Sequence, residues 1–221
     1  MIVMTTSPGK LDSSKVIEEV IAARRTIRRF TTQTPPRELV ERIIRVGLLA
    51  PYSGLGISRE DFRRIIVIPR DSPVMAQATE LLRQGIRTMR ESLEQQMRTD
   101  SQARSHGQAY LQVLKRGEQQ DTPFLSKAPY YLVVAEERTI PHVEHCSLAH
   151  CLQNMWLEAT ALGLGFQLVT ATQRMSDTPQ FTQLLGLPPG VFELDGCLLG
   201  YSAETPAPVR RPDPQKVVTW L

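Results

Sequence analysis

Arg24-Arg25-Thr26-Ile27-Arg28-Arg29-Phe30 is the most informative stretch of this 221-residue sequence. Guanidinium groups occupy four of its positions, interleaved with one hydroxyl and two apolar side chains. Arginine keeps its charge, and its planar fork matches phosphate oxygens two at a time. One interpretation is therefore a binding site for a phosphorylated ligand, anchored to a core by the apolar residues. The other interpretation is the solvated basic end of a helix.

The composition indicates an ordinary globular protein, with 41% hydrophobic and 22% charged residues. A net charge of +3 is too small to indicate nucleic-acid binding by itself. The cysteines, at positions 146, 151 and 197, have no regular spacing, which favours reduced thiols. No apolar run is long enough to span a membrane, and no signal-peptide core begins the chain. We predict a cytoplasmic protein that binds neither membrane nor nucleic acid.

The pattern of apolar residues and turn residues predicts alternating helices and strands in a single domain over residues 1–221. Helices are predicted to begin near Ser13, after Pro36, after Ser72, at Ser147 and at Pro179. Strands are predicted at 65–68, 130–134 and 166–170 and within 191–201. We find no internal repeat and no linker that would divide the chain.

A polar helical excursion is predicted at about residues 75–126. It contains many arginines, which suggests an interaction module for RNA or for another protein. Glutamates are interspersed with these arginines, so solvated helices with ion pairs four residues apart are the alternative.

Four segments, taken in order, resemble the FMN-dependent nitroreductase family. They are Arg24 to Phe30, Ala50-Pro51-Tyr52-Ser53, Gln153-Asn154 through Gly163-Leu164-Gly165, and Leu199-Gly200-Tyr201 with Arg210-Arg211. The resemblance spans nearly the whole chain and leaves only about 75–126 without a counterpart. It implies an α+β fold with a central, mainly antiparallel sheet flanked by helices. It also implies an intertwined homodimer with FMN sites at the subunit interface.

The resemblance also implies which residues bind FMN. The first group would hold the phosphate, the ribityl chain or the pyrimidine edge: Arg24, Arg25, Thr26 and Arg28. The second group would reach the phosphate: Arg210 and Arg211. The third group would approach from the partner subunit: Pro51, Tyr52 and Ser53. The last group would lie along the isoalloxazine ring: Leu168, Val169 and Thr170.

The implied activity is hydride transfer from NAD(P)H through FMN to a nitroaromatic, a quinone or an activated alkene. The cofactor carries this chemistry, so no catalytic side chain is expected. The alternative is a flavin-binding protein of the same fold without turnover, serving storage or sensing. One departure from the family pattern keeps this alternative open. Leu55 stands where the family has Asn, and the rest of the segment 54–61 also differs.

A second cluster contains residue types that bind zinc: His142, His145, Cys146, His150 and Cys151. Its spacing matches no zinc signature, so we expect packing or dimer-contact histidines and no metal site. Trp156 is expected in the core or at an interface, with a place near the flavin as the alternative.

Overall fold

The computed structural model describes residues 8–52, 62–119 and 124–221. The helices are α1 (Pro8–Ala23), α2 (Arg37–Leu48), α3 (Pro73–Thr99), α4 (Ser101–His106), α5 (Gln108–Gly117), α6 (Glu144–Ala161) and α7 (Pro179–Leu184). The strands are β1 (Arg63–Pro69), β2 (Tyr130–Glu137), β3 (Gly165–Leu168) and β4 (Phe192–Gly200). Short 3₁₀ helices cover Thr170–Met175 and Pro214–Lys216. No helix within these ranges is both long enough and apolar enough to cross a membrane.

The strands form one sheet in the order β1-β2-β4-β3, and every neighbouring pair is antiparallel. At one end of the sheet, Leu199 of β4 lies opposite Tyr130 of β2 and Phe166 of β3. At the other end, Arg63 of β1 lies opposite Glu136 of β2. The predicted α+β fold with a mainly antiparallel sheet is confirmed.

The sheet is buried on both faces because successive strand residues point to opposite sides. Along β2, Tyr131 and Val133 belong to the core under α3 and α7, whereas Leu132 and Val134 belong to the core under α2 and α6. All four residues are fully buried. Burial on both faces explains why the sequence of β2 is continuously apolar and does not alternate between apolar and polar residues. Its burial on two faces makes it the centre of the fold.

Helix α6 begins at Glu144, so the predicted start at Ser147 is wrong by about one turn. The Glu144 carboxylate is buried and accepts hydrogen bonds from the backbone N–H and the hydroxyl of Thr139. An acidic group in the first turn also interacts favourably with the helix dipole. Ser147 is an interior residue whose hydroxyl donates to the Glu144 carbonyl at 3.0 Å.

Strand β3 ends at Leu168, so the predicted strand does not include Val169 and Thr170. The chain turns into a 3₁₀ helix because Thr172 occupies the space beside Gly196. A Cβ at position 196 would lie 2.7 Å from the Thr172 hydroxyl oxygen. That hydroxyl also hydrogen-bonds the buried Tyr131 hydroxyl at 2.7 Å. Sequence periodicity does not report such a contact between distant residues.

Helices α3, α4 and α5 form the segment that was predicted as a polar excursion. The first part of α3 is part of the main core, since Met75 and Leu82 are buried there. Ion pairs join the outer part of α3 to α5 and to Glu118, the residue that follows α5. Arg90 contacts Glu118 at 2.6 Å and Glu94 at 2.7 Å. The charges on this part of the segment are therefore largely neutralised within the protein.

Candidate functional site

The arginine-rich stretch follows the end of α1 and runs along the edge of β3. The Ile27 backbone N–H donates to the Phe166 carbonyl at 3.0 Å, and Thr26 forms a parallel bridge with Phe166. The Ile27 side chain is buried against Gly165, where a Cβ would lie only 2.8 Å from it. Backbone pairing and apolar packing therefore anchor the stretch to the sheet. It is not a free helix end.

Trp156 of α6 connects this stretch to the core. The Arg24 guanidinium lies 4.1 Å from the centre of the Trp156 ring, a cation–π contact. The Trp156 ring also stacks with the Phe166 ring, and the two ring centres are 5.3 Å apart. The indole N–H donates to the Arg25 carbonyl at 3.2 Å. Trp156 therefore acts as a buried support for the arginines, as the core interpretation predicted.

Arg24, Arg25 and Arg211 lie close enough to influence one another electrostatically. Burial lowers the pKa of Arg24, and the positive charges of Arg211 and then Arg25 lower it further. Arg210 is the exposed neighbour of Arg211 on the same tail segment. The charge of the tail residue Arg211 thus acts on the first arginine cluster, although more than 180 residues separate them in sequence. A group of like charges of this kind is suited to an anion.

A groove of about 420 Å³ opens beside Arg25. Predicted site residues on its wall are Arg25, Thr26 and Arg28. The tail residues Pro206 and Val209 form its other side. We call this space the arginine groove.

Glu204 is a site residue that sequence analysis missed. Its carboxylate accepts the backbone N–H groups of Arg28 at 2.5 Å and Arg29 at 3.1 Å. The hydrogen bond from Arg28 is the main cause that lowers the pKa of Glu204. The two partners are more than 170 residues apart in sequence, so no local pattern signals the contact. Glu204 fixes the start of the tail against the arginine stretch.

A second cavity, of about 270 Å³, lies between the helical segment α3–α5 and the end of β3. We call it the helix-side cavity. The residues predicted to lie along the isoalloxazine ring all line it: Leu168, Val169 and Thr170. Lys127 and Gln167 line it as well. The side-chain amide oxygen of Gln167 (Oε1) is buried and has no hydrogen-bond partner within the described ranges.

Gln173 also lines the helix-side cavity and is held by a buried carboxylate. Its side-chain amide donates to Asp195 at 2.8 Å. Burial raises the pKa of Asp195 to about 6, although the hydrogen bonds from Gln173 and from the Gly196 backbone oppose the shift. Asp195 therefore titrates in the folded protein close to physiological pH.

We expect this shift to appear as a pH-dependent stability difference between the wild type and Asp195→Asn. A folded-state pKa raised above the ordinary value of 3.8 means that ionisation disfavours the folded state as pH rises from about 4 to 6. The variant lacks this penalty, so its stability relative to wild type should increase by about 2–3 kcal/mol between pH 4 and pH 7. Urea unfolding at several pH values measures it. A stability difference that is constant with pH would contradict the assignment.

Pro51 and Tyr52 lie at the other end of the sheet from the arginine groove. The Arg63 guanidinium donates to the Pro51 carbonyl at 3.3 Å and lies 4.6 Å from the centre of the Tyr52 ring. Arg63 lies opposite Glu136 of β2, whereas Phe166 is level with Tyr130 of β2. These two positions are six residues apart along β2, a distance of roughly 20 Å. One protomer therefore does not bring Pro51 and Tyr52 to its own arginines. Ser53 and the altered segment 54–61, with Leu55, lie outside the described residues.

The histidine and cysteine cluster on α6 and before it does not converge. Cys151 is buried in the core, whereas His145, Cys146 and His150 are exposed. Within the part of the chain that the structure describes, no three metal-ligating side chains are grouped closely enough to hold a metal ion. All three cysteines are free thiols.

Several solved structures with the same fold are described as FMN-bound or FMN-dependent nitroreductases. The nitroreductase with bound FMN from Bacteroides fragilis NCTC 9343 is 20% identical, with a TM-score of 0.66 over 93% of this chain and 98% of that one. The FMN-bound nitroreductase from Desulfitobacterium hafniense DCB-2 is 24% identical, with a TM-score of 0.66 over 93% and 97%. A variant of the FMN- and NADPH-dependent nitroreductase NfnB from Sphigopyxis sp. strain HMH is 19% identical, with a TM-score of 0.65 over 92% and 98%. These likenesses establish the fold.

A search of curated proteins found no match. The model of the nitroreductase family, by contrast, matches residues 21–201. The match begins just before the arginine-rich stretch and ends at the last residue of the Leu199-Gly200-Tyr201 motif. It covers most of the chain and includes the helical segment α3–α5. This chain belongs to the nitroreductase family.

Proposed function

We propose that this protein is an FMN-dependent oxidoreductase that works as a homodimer. FMN, when bound, would supply the hydride-transfer chemistry between NAD(P)H and a nitroaromatic, a quinone or an activated alkene. The protein's own residues bind and orient the cofactor and the substrates. Membership of the nitroreductase family supports the oxidoreductase class. The use of NADPH is supported by NfnB, which is described as FMN- and NADPH-dependent.

The observation that carries this proposal is the arginine groove, which Arg25, Thr26 and Arg28 line next to Arg24 in the chain. Burial and mutual repulsion both lower the pKa of Arg24, so a phosphate dianion would relieve a cost that the folded protein already bears. Paired guanidinium groups are the preferred partners of a phosphate. In this assignment Thr26 and Arg28, on the wall of the arginine groove, contact the ribityl chain or the pyrimidine edge. Arg210 gives the phosphate a further cation.

The ring of FMN is assigned to the side where Leu168, Val169 and Thr170 line the helix-side cavity. These residues belong to the end of β3 and the start of the 3₁₀ helix, so their backbone is fixed by the sheet. Such fixed backbone orients a planar cofactor and keeps water from one side of it. Gln167 and Lys127 add a hydrogen-bond acceptor and a positive charge to the same cavity.

A second copy of the chain is required to complete this site. Pro51 and Tyr52 lie roughly 20 Å along the sheet from the protomer's own arginine groove. In an intertwined dimer, these residues and Ser53 reach the flavin of the partner. We therefore expect a stable dimer that carries about one FMN per chain. Light scattering with flavin quantitation measures both quantities, and a monomer that retains FMN would contradict the dimer.

Steady-state kinetics test the proposed turnover. If one pocket serves NAD(P)H and the acceptor in turn, the mechanism is ping-pong. Double-reciprocal plots against NAD(P)H at several acceptor concentrations should then be parallel lines. Intersecting lines would show that both substrates bind together and would contradict a shared pocket. A flavin-containing protein without turnover for any acceptor would support the alternative of a storage or sensing protein.

A further inference from the structure

Among the described residues that line it, the helix-side cavity has positive charges and no carboxylate. Its walls are mainly apolar and include Ile86, Met89, Val113, Leu114 and Phe124. Lys127 and Arg174 are its charged residues, and no Asp or Glu lies among the described residues that line it. An apolar cavity with few convergent polar groups is typical of a small-molecule site.

Arg174 differs from the other arginines around it. Arg90 on α3 is paired with Glu94 and Glu118, and Arg138 is paired with Glu193. Arg174 lies on the 3₁₀ helix that follows β3 and is exposed. Among the described residues it has no ion pair and no hydrogen bond from its guanidinium group. It therefore presents an unneutralised cation on the wall of an apolar cavity.

Lys127 supplies a second positive charge to the same cavity. It is partly buried, and this burial lowers its pKa, as does the positive charge of Arg28. The negative charge of Glu204 raises the pKa of Lys127, but this effect is smaller. Lys127 thus lies on the side of the arginine stretch, where the flavin is assigned. Arg174 comes from the 3₁₀ helix whose first residue, Thr170, is assigned to the flavin ring, so a ligand that Arg174 contacts would lie beside that ring.

The apolar walls of the cavity favour an acceptor with an aromatic ring, which would pack beside the assigned flavin. Met89, Phe124 and Tyr110 offer thioether and aromatic contacts to such a ring.

We propose that the helix-side cavity selects small aromatic acceptors that carry an anionic group, and that Arg174 contacts this group. The inference rests on the proposed function and specifies its acceptor class. It also gives the segment α3–α5 a role as the wall of the acceptor site. For a nitrobenzoate, NAD(P)H loses a hydride and the nitro group gains that hydride and one proton from solvent. One oxygen leaves as water, and a nitroso group remains.

The test compares two acceptors that differ mainly in charge, 4-nitrobenzoate and 4-nitrobenzamide. Arg174→Gln should lower the ratio of kcat/KM for the benzoate over the amide by about fivefold, which is the scale of one partly exposed ion pair. Arg174→Lys should retain most of this preference because the charge is kept. Arg98→Gln is the matched control, since Arg98 is an exposed arginine on α3 that does not line the cavity. The control should leave the ratio unchanged.

A binding measurement separates this inference from the proposed turnover. Calorimetry with benzoate and benzamide, neither of which has a nitro group to reduce, is carried out on the FMN-loaded protein and on the same variants. Benzoate should bind about fivefold more weakly to Arg174→Gln than to the wild type. This result supports the anion site even if neither nitro compound is turned over. Benzoate binding that is equal in the wild type and Arg174→Gln would overturn the inference, even if turnover is normal.

Discussion

Replacing Arg210 and Arg211 together by alanine should weaken FMN binding by about a hundredfold. Each charge-assisted contact to the phosphate contributes about 1.5–3 kcal/mol, and exposure of the tail places both contacts at the lower end of that range. Riboflavin lacks the phosphate, so its affinity should change little. Arg211→Ala alone should weaken FMN binding by about tenfold, the effect of one such contact.

Fluorescence titration of the flavin-free protein with FMN and with riboflavin measures these affinities. Lys216→Ala is the control, since Lys216 is an exposed cation on the same tail. It should leave both affinities unchanged. Equal losses for FMN and riboflavin in the double variant would mean that these arginines do not bind the phosphate.

The Arg63→Met variant should lose about 3–5 kcal/mol of unfolding free energy. The pair of Arg63 and Glu136 is almost completely buried, with side-chain exposures of 1% and 0% and a closest distance of 2.7 Å. Removing the cation leaves Glu136 as a buried charge without its partner, which is strongly destabilising. The change also removes the hydrogen bond from Arg63 that holds the Pro51 carbonyl.

Urea unfolding of two further variants distinguishes the cost of leaving a buried charge unpaired from the cost of losing an ion pair in general. Arg42→Met removes the surface pair with Glu158, in which the Arg42 side chain is 59% exposed, and should cost less than about 1 kcal/mol. The double variant Arg63→Met, Glu136→Leu should recover much of the loss, because no unpaired charge remains. If Arg63→Met costs no more than Arg42→Met, the buried pair is not the stabilising contact that we describe.

The features that could be predicted from the sequence are those that local patterns encode. The apolar run at 130–134 and the glycines at 163 and 165 predicted a strand and a helix-to-strand turn, and both are present. The four-stranded antiparallel sheet also follows from the resemblance of the motifs to the nitroreductase family. The same resemblance implied that Arg24 and Arg211 bind one cofactor, which stays a prediction; the charge of Arg211 contributes to lowering the pKa of Arg24.

The contacts that could not be predicted join residues far apart in the chain. Glu204 accepts a hydrogen bond from the backbone of Arg28, and Arg63 pairs with Glu136. The partners are so far apart in sequence that a local pattern of apolar and polar residues does not indicate these contacts. The turn at Val169 depends on Thr172 packing beside Gly196. The helix-side cavity likewise arises only when α3 and α5 fold over the end of β3. Sequence motifs predicted a site, whereas the contacts around its candidate residues required the structure.

Anaerobic addition of NADH and of NADPH to the FMN-loaded protein tests the central claim most directly. The flavin absorbance reports the oxidised cofactor, so its loss shows that a nicotinamide donates a hydride within the site. We expect at least one nicotinamide to bleach the protein fully and a nitroaromatic or quinone to restore the colour. A protein that is bleached by light and a chemical donor, but by neither NADH nor NADPH, would contradict the account.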